Sequence, residues 1–255
     1  MLFRSPVFQN RTGELMRAIR DEGAHVGRTY GQTRDQKGGT FLSSYARTLT
    51  NGGLRFHTDR TDVVGLLCVR QAMKGGVSTI ASTPAIHNAI LARRPDLLDA
   101  LFTDYWRSRF GEEGTGKDGS STTRATAYPL PIFGVVDGKF TSHYSLTFIE
   151  AAQLADDIPK LSAAQKEAID VLMATAQELC FEMTLEPGDL QLINSHVTYH
   201  GRTPFEDDAD SGHDRLLLRL WLTMANNRPL PAGHEVLWQS IEAGRPRGGI
   251  RQVSI

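Results

Sequence analysis

Phe56-His57-Thr58-Asp59 is the stretch on which the reading of this chain turns. It is a His-x-Asp pair, and a second histidine stands far downstream in Tyr199-His200-Gly201-Arg202. Residues i and i+2 of a strand point to the same face, so a strand over Arg55 to Asp59 lets His57 and Asp59 grip one ion. Two imidazoles and one carboxylate are the ligand set of the facial triad, which leaves open positions on a non-haem Fe(II). The third ligand must then arrive from elsewhere in the fold. A lone His-x-Asp arises by chance in many chains, so the surroundings of each half decide.

Outward from that stretch, Val63 to Arg70 is nearly all apolar and predicts a buried strand. Lys74-Gly75-Gly76 predicts a turn, and Val77 to Ala81 a further strand. Upstream, Arg28 to Asn51 is polar and rich in Gly, Thr and Arg; it reads as loop with a short strand, lying over the site. Residues 12 to 22 fit a short helix, with Thr12 as cap and Leu15, Met16 and Ile19 on one side. Downstream, Ser82-Thr83-Pro84 opens a helix with a hydroxyl cap and an early proline. Arg94-Pro95 interrupts it, and Leu97, Leu98 and Leu101 follow. Gly111 to Thr123 reads as a mobile Gly, Ser and Thr loop. Pro131 to Ser142 is a hairpin around Asp137-Gly138. Ser162 with Gln165 makes a capping box, and Ile169, Leu172, Met173 and Ala176 stripe the helix that follows. Phe181 to Leu185, Leu190 to Asn194 and Arg215 to Thr223 read as strands, with Glu186-Pro187-Gly188-Asp189 as a tight turn. Strand-rich ends with helices between them predict a mainly β fold with flanking helices. The core is closed or sandwiched, not a parallel βαβ array.

Composition bounds the function classes. The chain has 255 residues, 40% hydrophobic and 22% charged, with formal net charge −1. That fits one globular domain, at most two, and gives no support for a nucleic-acid or membrane partner. No run approaches the roughly 18 apolar residues of a membrane span, and Met1 to Pro6 shows no export signal. Cys68 and Cys180 make neither a disulfide framework nor a thiolate zinc site, so a reducing cytoplasm is the expected location.

The downstream block Pro187-Gly188-Asp189-Leu190 through His200-Gly201-Arg202-Thr203-Pro204-Phe205, with His57-Thr58-Asp59 and Gly75-Gly76-Val77-Ser78, resembles the Fe(II)- and 2-oxoglutarate-dependent oxygenases of the taurine dioxygenase and clavaminate synthase-like superfamily. The resemblance spans about Gly53 to Met224. It implies a double-stranded β-helix, a jelly roll, in a single domain over 1–255 with a helical insertion at about 82–180. It also implies Fe(II), 2-oxoglutarate and O₂ as cofactor and cosubstrates, with His57, Asp59 and His200 as metal ligands. The related halogenases lack the carboxylate that Asp59 supplies, so oxidation of a C–H bond, first of all hydroxylation, with release of succinate and CO₂, is the implied reaction.

The far carboxylate of 2-oxoglutarate needs a cation, and the planar arginine fork matches it. Arg219 fits the family's position best and Arg215 fits a second basic position; both have the same strand parity. Ser78 stands where the family has a hydroxyl that helps hold that carboxylate, with Thr79 as the alternative. Arg55, Arg60, His196 and Tyr199 are near the ligands in sequence and are candidates for a small, anionic organic substrate. Gly111-x4-Gly116-Lys117 mimics a phosphate loop, but Asp118 stands where a hydroxyl must reach Mg²⁺. His196 and His200 have the spacing of a helical zinc pair, yet turn and strand signals precede them. Only 56 residues precede His57. That is short for the family, so a sheet edge is expected to be trimmed or covered by a partner subunit, which makes a homo-oligomer possible. Two other readings stay open: a catalytically silent jelly-roll protein that binds a small acid or a metal, and a zinc-dependent hydrolase on the same three ligands.

Overall fold

Val63–Arg70, the apolar run of the sequence, is a central strand. It lies between Leu190–Asn194 and Leu216–Met224, antiparallel to both. The free edge of Leu216–Met224 takes Phe3–Pro6 at one end and Met16–Ile19 at the other. A second antiparallel sheet runs in the order Phe181–Met183, Ser78–Ser82, Thr198–Arg202, Leu54–His57. In this computed structural model, which describes residues 3–10, 12–112 and 126–250, the two sheets make a jelly-roll core. Between them pack Ile19, Val64, Leu66, Cys68, Ile193, Leu217 and Trp221, joined by Ile80 from the second sheet.

Alternation sorts the side chains of the first sheet. Leu217, Arg219, Trp221 and Thr223 point inward and are buried, while Leu216, Leu218, Leu220 and Leu222 point outward and are only half-buried. With Met16 (52% exposed), Leu190 (57%) and Leu192 (52%), these make the outer face of the sheet apolar.

The chain between Ser78–Ser82 and Phe181–Met183 forms a helical layer behind the second sheet. Thr83–Arg93, Pro95–Leu101, Leu146–Gln153 and Ala163–Glu178 are its helices. Phe133–Val136 with Lys139–Ser142, and Asp104–Ser108 with Ala127–Pro131, are its hairpins. Ile86, Ile90, Leu101, Ile149 and Leu172 bury against Phe56, Ala81 and Tyr199 from the back of that sheet. The Ser162–Gln165 capping box is present at the start of the longest helix. Among the described residues, no helix is long and apolar enough to cross a membrane.

Several local expectations are corrected. Residues 12 to 22 hold a strand, Met16–Ile19, not a helix, because Leu216–Met224 offers an edge that outweighs a weak 3.6-residue spacing. Arg28 to Asn51 is more ordered than a loop: the helices Val26–Tyr30 and Ser44–Thr48 flank a small hairpin, Gln32–Arg34 with Thr40–Leu42. The strand at the His-x-Asp pair is Leu54–His57, so Asp59 lies beyond it. Residues 113–125 lie outside the described residues, and with them most of the Gly111 to Thr123 stretch, including Gly116, Lys117 and Asp118.

Candidate metal centre

His57 ends one strand of the second sheet and His200 sits on its neighbour, directly opposite. The pairing is bulged: His57 faces His200 but Leu54 faces Arg202, so one extra residue is accommodated on the first strand. Bulges re-aim side chains beside functional sites. Here the two imidazole rings stand 4.2 Å apart, centroid to centroid. Gly201 makes this approach possible. A Cβ there would sit 2.7 Å from the Leu54 carbonyl oxygen and 2.9 Å from Thr79 Oγ1.

Asp59 reaches the same point by leaving the sheet. Thr58 is clamped between the elements: its N–H donates to the Tyr144 carbonyl (2.8 Å), and its hydroxyl pairs with His143 Nδ1 (2.9 Å). The chain then turns toward the first sheet, and Asp59 Oδ2 accepts from Trp221 Nε1 (2.9 Å) and Arg219 Nη1 (3.4 Å). His57 Nε2 lies 3.9 Å from Asp59 Oδ1, and His200 Nε2 3.8 Å from Asp59 Oδ2. One donor atom from each of the three lies within 4.8 Å of the others.

The chemistry of this donor set fits a divalent ion. The Arg55 carbonyl can only accept, so His57 Nδ1, 2.9 Å away, is the donor of that bond, and Nε2 is the ring nitrogen turned to the cluster. Burial pushes the His200 imidazolium down to about 3, with the nearby His57 adding to the effect and Asp59 opposing it. Burial alone would raise the Asp59 carboxyl. Arg219 above all, then His200, His57 and the Trp221 indole, more than offset it and hold the group ionised. His57 Nε2, the His200 ring and an ionised Asp59 carboxylate therefore converge, the donor set that metal ligation requires.

The cavity behind the ligands is lined by His57 and His200 at one end and by Ser78, Arg202, Arg215 and Arg219 along its walls. Arg219 is already engaged, through Asp59 and through Nε to Gln9 Oε1 (2.7 Å). Arg215 and Arg202 both stack on Phe205, and Arg202 is tied to the Thr50 and Gly52 carbonyls. Yet buried Nη1 of Arg215, and Nε and Nη1 of Arg202, have no hydrogen-bond partner among the described residues. Burial lowers Arg202 to about 9, with Arg215 adding to the effect, and Arg215 to about 10. Buried donors without partners are costly, and a small acid in the cavity would satisfy them. The glycine pair explains itself here. Gly76, at φ +69°, lies against the stem of Arg215: a Cβ would come 3.0 Å from its Nε. Thr203 ties the same turn down by accepting from the Val77 N–H (3.0 Å).

The predicted site residues thus divide. His57, Asp59, His200, Ser78, Arg215 and Arg219 come together, and Arg55 lines an adjoining crevice. Ser78, not Thr79, is in the cavity wall; its hydroxyl donates to Gln191 Oε1 (3.2 Å). Arg60 is buried elsewhere, in an ion pair with Glu112 (3.0 Å). Tyr199 faces the helical layer, with its hydroxyl on Ser142 Oγ (2.6 Å), because neighbours on a strand point to opposite faces. His196 is bound to Asp62 (2.8 Å) and stacked on Trp238. Neither reaches the cavity. Arg202, Gln9 and Trp221 went unpredicted. Arg202 shares strand parity with His200 and was open to the same reasoning; Gln9 was not, since only the fold brings it to Arg219.

The profile of the taurine catabolism dioxygenase TauD, TfdA family matches residues 1–221. The chain belongs to that family. It is 34% identical over 232 residues to FR-33289 synthase of Streptomyces rubellomurinus, covering 88% of this chain and 62% of that protein. It is 28% identical over 171 residues to taurine hydroxylase-like protein SAT17 of Stachybotrys chartarum, covering 66% of this chain and 41% of that one. Among solved structures, asparagine oxygenase in complex with Fe(II), 2S,3S-3-hydroxyasparagine and succinate superposes with a TM-score of 0.62 at 19% identity, over 86% of this chain and 60% of that chain. The non-haem iron oxygenase OrfP in complex with Fe and alpha-ketoglutaric acid superposes at 0.56 and 18%, over the same shares. These likenesses show the fold. The chain spans less than two thirds of the length of these relatives.

Proposed function

We propose that this protein is an Fe(II)- and 2-oxoglutarate-dependent dioxygenase that hydroxylates a C–H bond of a small, anionic organic substrate, with release of succinate and CO₂. One observation carries the reading: three metal-ready donors close one end of a cavity whose walls hold buried arginine donors in want of an acid. His57, Asp59 and His200 hold the ion. Arg215 takes the far carboxylate of 2-oxoglutarate, aided by the Ser78 hydroxyl. This exchanges the roles given to the two arginines from sequence, because Arg219 is spent on Asp59 and Gln9 while Arg215 is not. Arg219 and Trp221 orient Asp59 and keep it charged. When bound, the iron supplies the oxygen chemistry, and the protein supplies geometry and exclusion of water.

The anaerobic protein with Fe(II) and 2-oxoglutarate should show a weak visible charge-transfer band. His200→Ala should lose both the band and succinate formation. A band that survives in the variant sinks the assignment of His200.

Two coarser expectations belong to the same reading. Free Cys68 and Cys180 suit a reducing cytoplasm. The apolar outer face of the first sheet suits burial by a second copy of the chain, since apolar patches of that kind mark contact surfaces.

A further inference from the structure

A cavity of about 480 Å³ opens beside the centre; Phe41, Leu146, Ile149, Leu154 and Leu161 are its apolar lining, and Asp35, Lys37 and Glu150 also border it. A narrower crevice links it inward. Arg47, Arg55 and Leu146 line both spaces, and the crevice continues to His57, which also borders the metal-side cavity. Two guanidinium groups therefore stand on the route to the ligands, and they are not equivalent. Arg55 is neutralised by a two-pronged pair with Glu150, at 2.8 and 2.5 Å. Arg47 is half-buried and uses only its Nε, on the Leu42 carbonyl (3.1 Å), with its guanidinium carbon 5.2 Å from the centre of the Phe41 ring. Among the described residues no carboxylate pairs with it, and both Nη groups are uncommitted. Its position is fixed by the Ser44–Thr48 helix, whose start Ser43 caps by accepting from the Ala46 N–H. Burial lowers the Arg47 pKa, and Arg55 lowers it further.

A cation with two free parallel donors, on an apolar wall and next to an already neutral ion pair, recognises an oxyanion with two oxygens. We infer that Arg47 is the specificity residue of the substrate pocket and binds the acid group of the substrate, its apolar body lying along Phe41 and Leu146 toward His57. The inference rests on the proposed function for the word substrate, but the anion site itself does not need the metal. Arg47 and His57 line the same crevice, so a short apolar body anchored at Arg47 extends along it toward the ligands. The acid is a carboxylate or a tetrahedral oxyanion of the sulfonate or phosphonate kind.

The test is calorimetric titration of metal-free, full-length protein with pentanoate, pentylphosphonate and pentylamine. Wild type should bind at least one acid and not the amine, and the affinity should fall as NaCl is raised. Whichever acid binds more tightly names the oxyanion. Arg47→Gln should weaken that acid about tenfold or more, whereas Arg47→Lys, which keeps the charge, should lose less. Circular dichroism checks that the variants fold; if Arg47→Gln does not, the lysine variant and the salt dependence carry the test. Equal acid binding by wild type and Arg47→Gln, or no acid preference in wild type, overturns the inference. The Fe(II) spectrum of wild type is read separately, so a failed metal centre and a failed anion site give different results.

Discussion

Gly201 shows how much of this centre hangs on one missing side chain. It is the glycine of the His-Gly-Arg-Thr block, and the space where its Cβ would stand is already filled by the Leu54 carbonyl and Thr79 Oγ1. Gly201→Ala must push two paired strands apart at the bulge, which costs about 1–3 kcal/mol in a packed setting. Because the bulge sets His57 opposite His200, the loss should reach beyond stability: Fe(II) affinity should fall as well. Urea denaturation combined with Fe(II) titration checks both, and an unchanged denaturation midpoint would refute the packing argument. The sequence made the glycine visible as part of a motif but not its reason, since the groups it avoids come from two other strands. The opposite lesson comes from Tyr199. Its adjacency to His200 suggested the pocket, although strand parity already sends it to the other face.

At the scale of elements, the legible pieces were those whose signals are local. Val63–Arg70 was legible to the residue because an apolar run of that length, bounded by polar residues, fits little except a buried strand. The hairpin at Asp137-Gly138, where both residues have positive φ, and the Ser162–Gln165 capping box follow from chemistry within a few residues. Met16–Ile19 was misread because its identity comes from its partner strand. Asp104–Ser108 with Ala127–Pro131 was missed because the two halves are joined through a long polar stretch without a tight-turn signal. The strand Leu190–Asn194 carries its own prediction. It is an edge strand with Leu190 and Leu192 facing out, at the rim of an otherwise apolar sheet face. Light scattering should give the mass of a dimer, and Leu192→Lys should shift it to a monomer with unchanged far-ultraviolet circular dichroism. A monomeric wild type at micromolar concentration removes the proposed second copy.

Over the whole molecule, charge is distributed so that bases are buried uncharged near the C-terminal segment. His143, His196 and His234 are all buried, with His143 and His196 against the Trp238 ring. Burial is the leading cause that lowers each of them: His143 falls well below its usual value, His196 falls despite Asp62, and His234 falls to about 4. The unfolded chain takes up protons at these sites from about pH 6.5 downward, and the folded chain does not. Stability is therefore complete above that pH and is lost as pH falls toward about 4. Thermal unfolding of metal-free protein, followed by tryptophan fluorescence, should show a lower midpoint at pH 5 than at pH 7. Equal midpoints would mean that these histidines carry no such linkage.

Asp62 lies three residues past Asp59 and is the knot of this region. It accepts from Thr223 Oγ1, the Met224 N–H, Asn227 Nδ2 and Arg247 Nε, while Gly249 N–H donates to the Arg60 carbonyl. All four of these Asp62 partners, and Gly249, come after residue 221, where the match to the family profile stops. A protease cut or frameshift that removed Arg247 would thus loosen the loop that carries Asp59 from a distance, without touching any of the three candidate ligands.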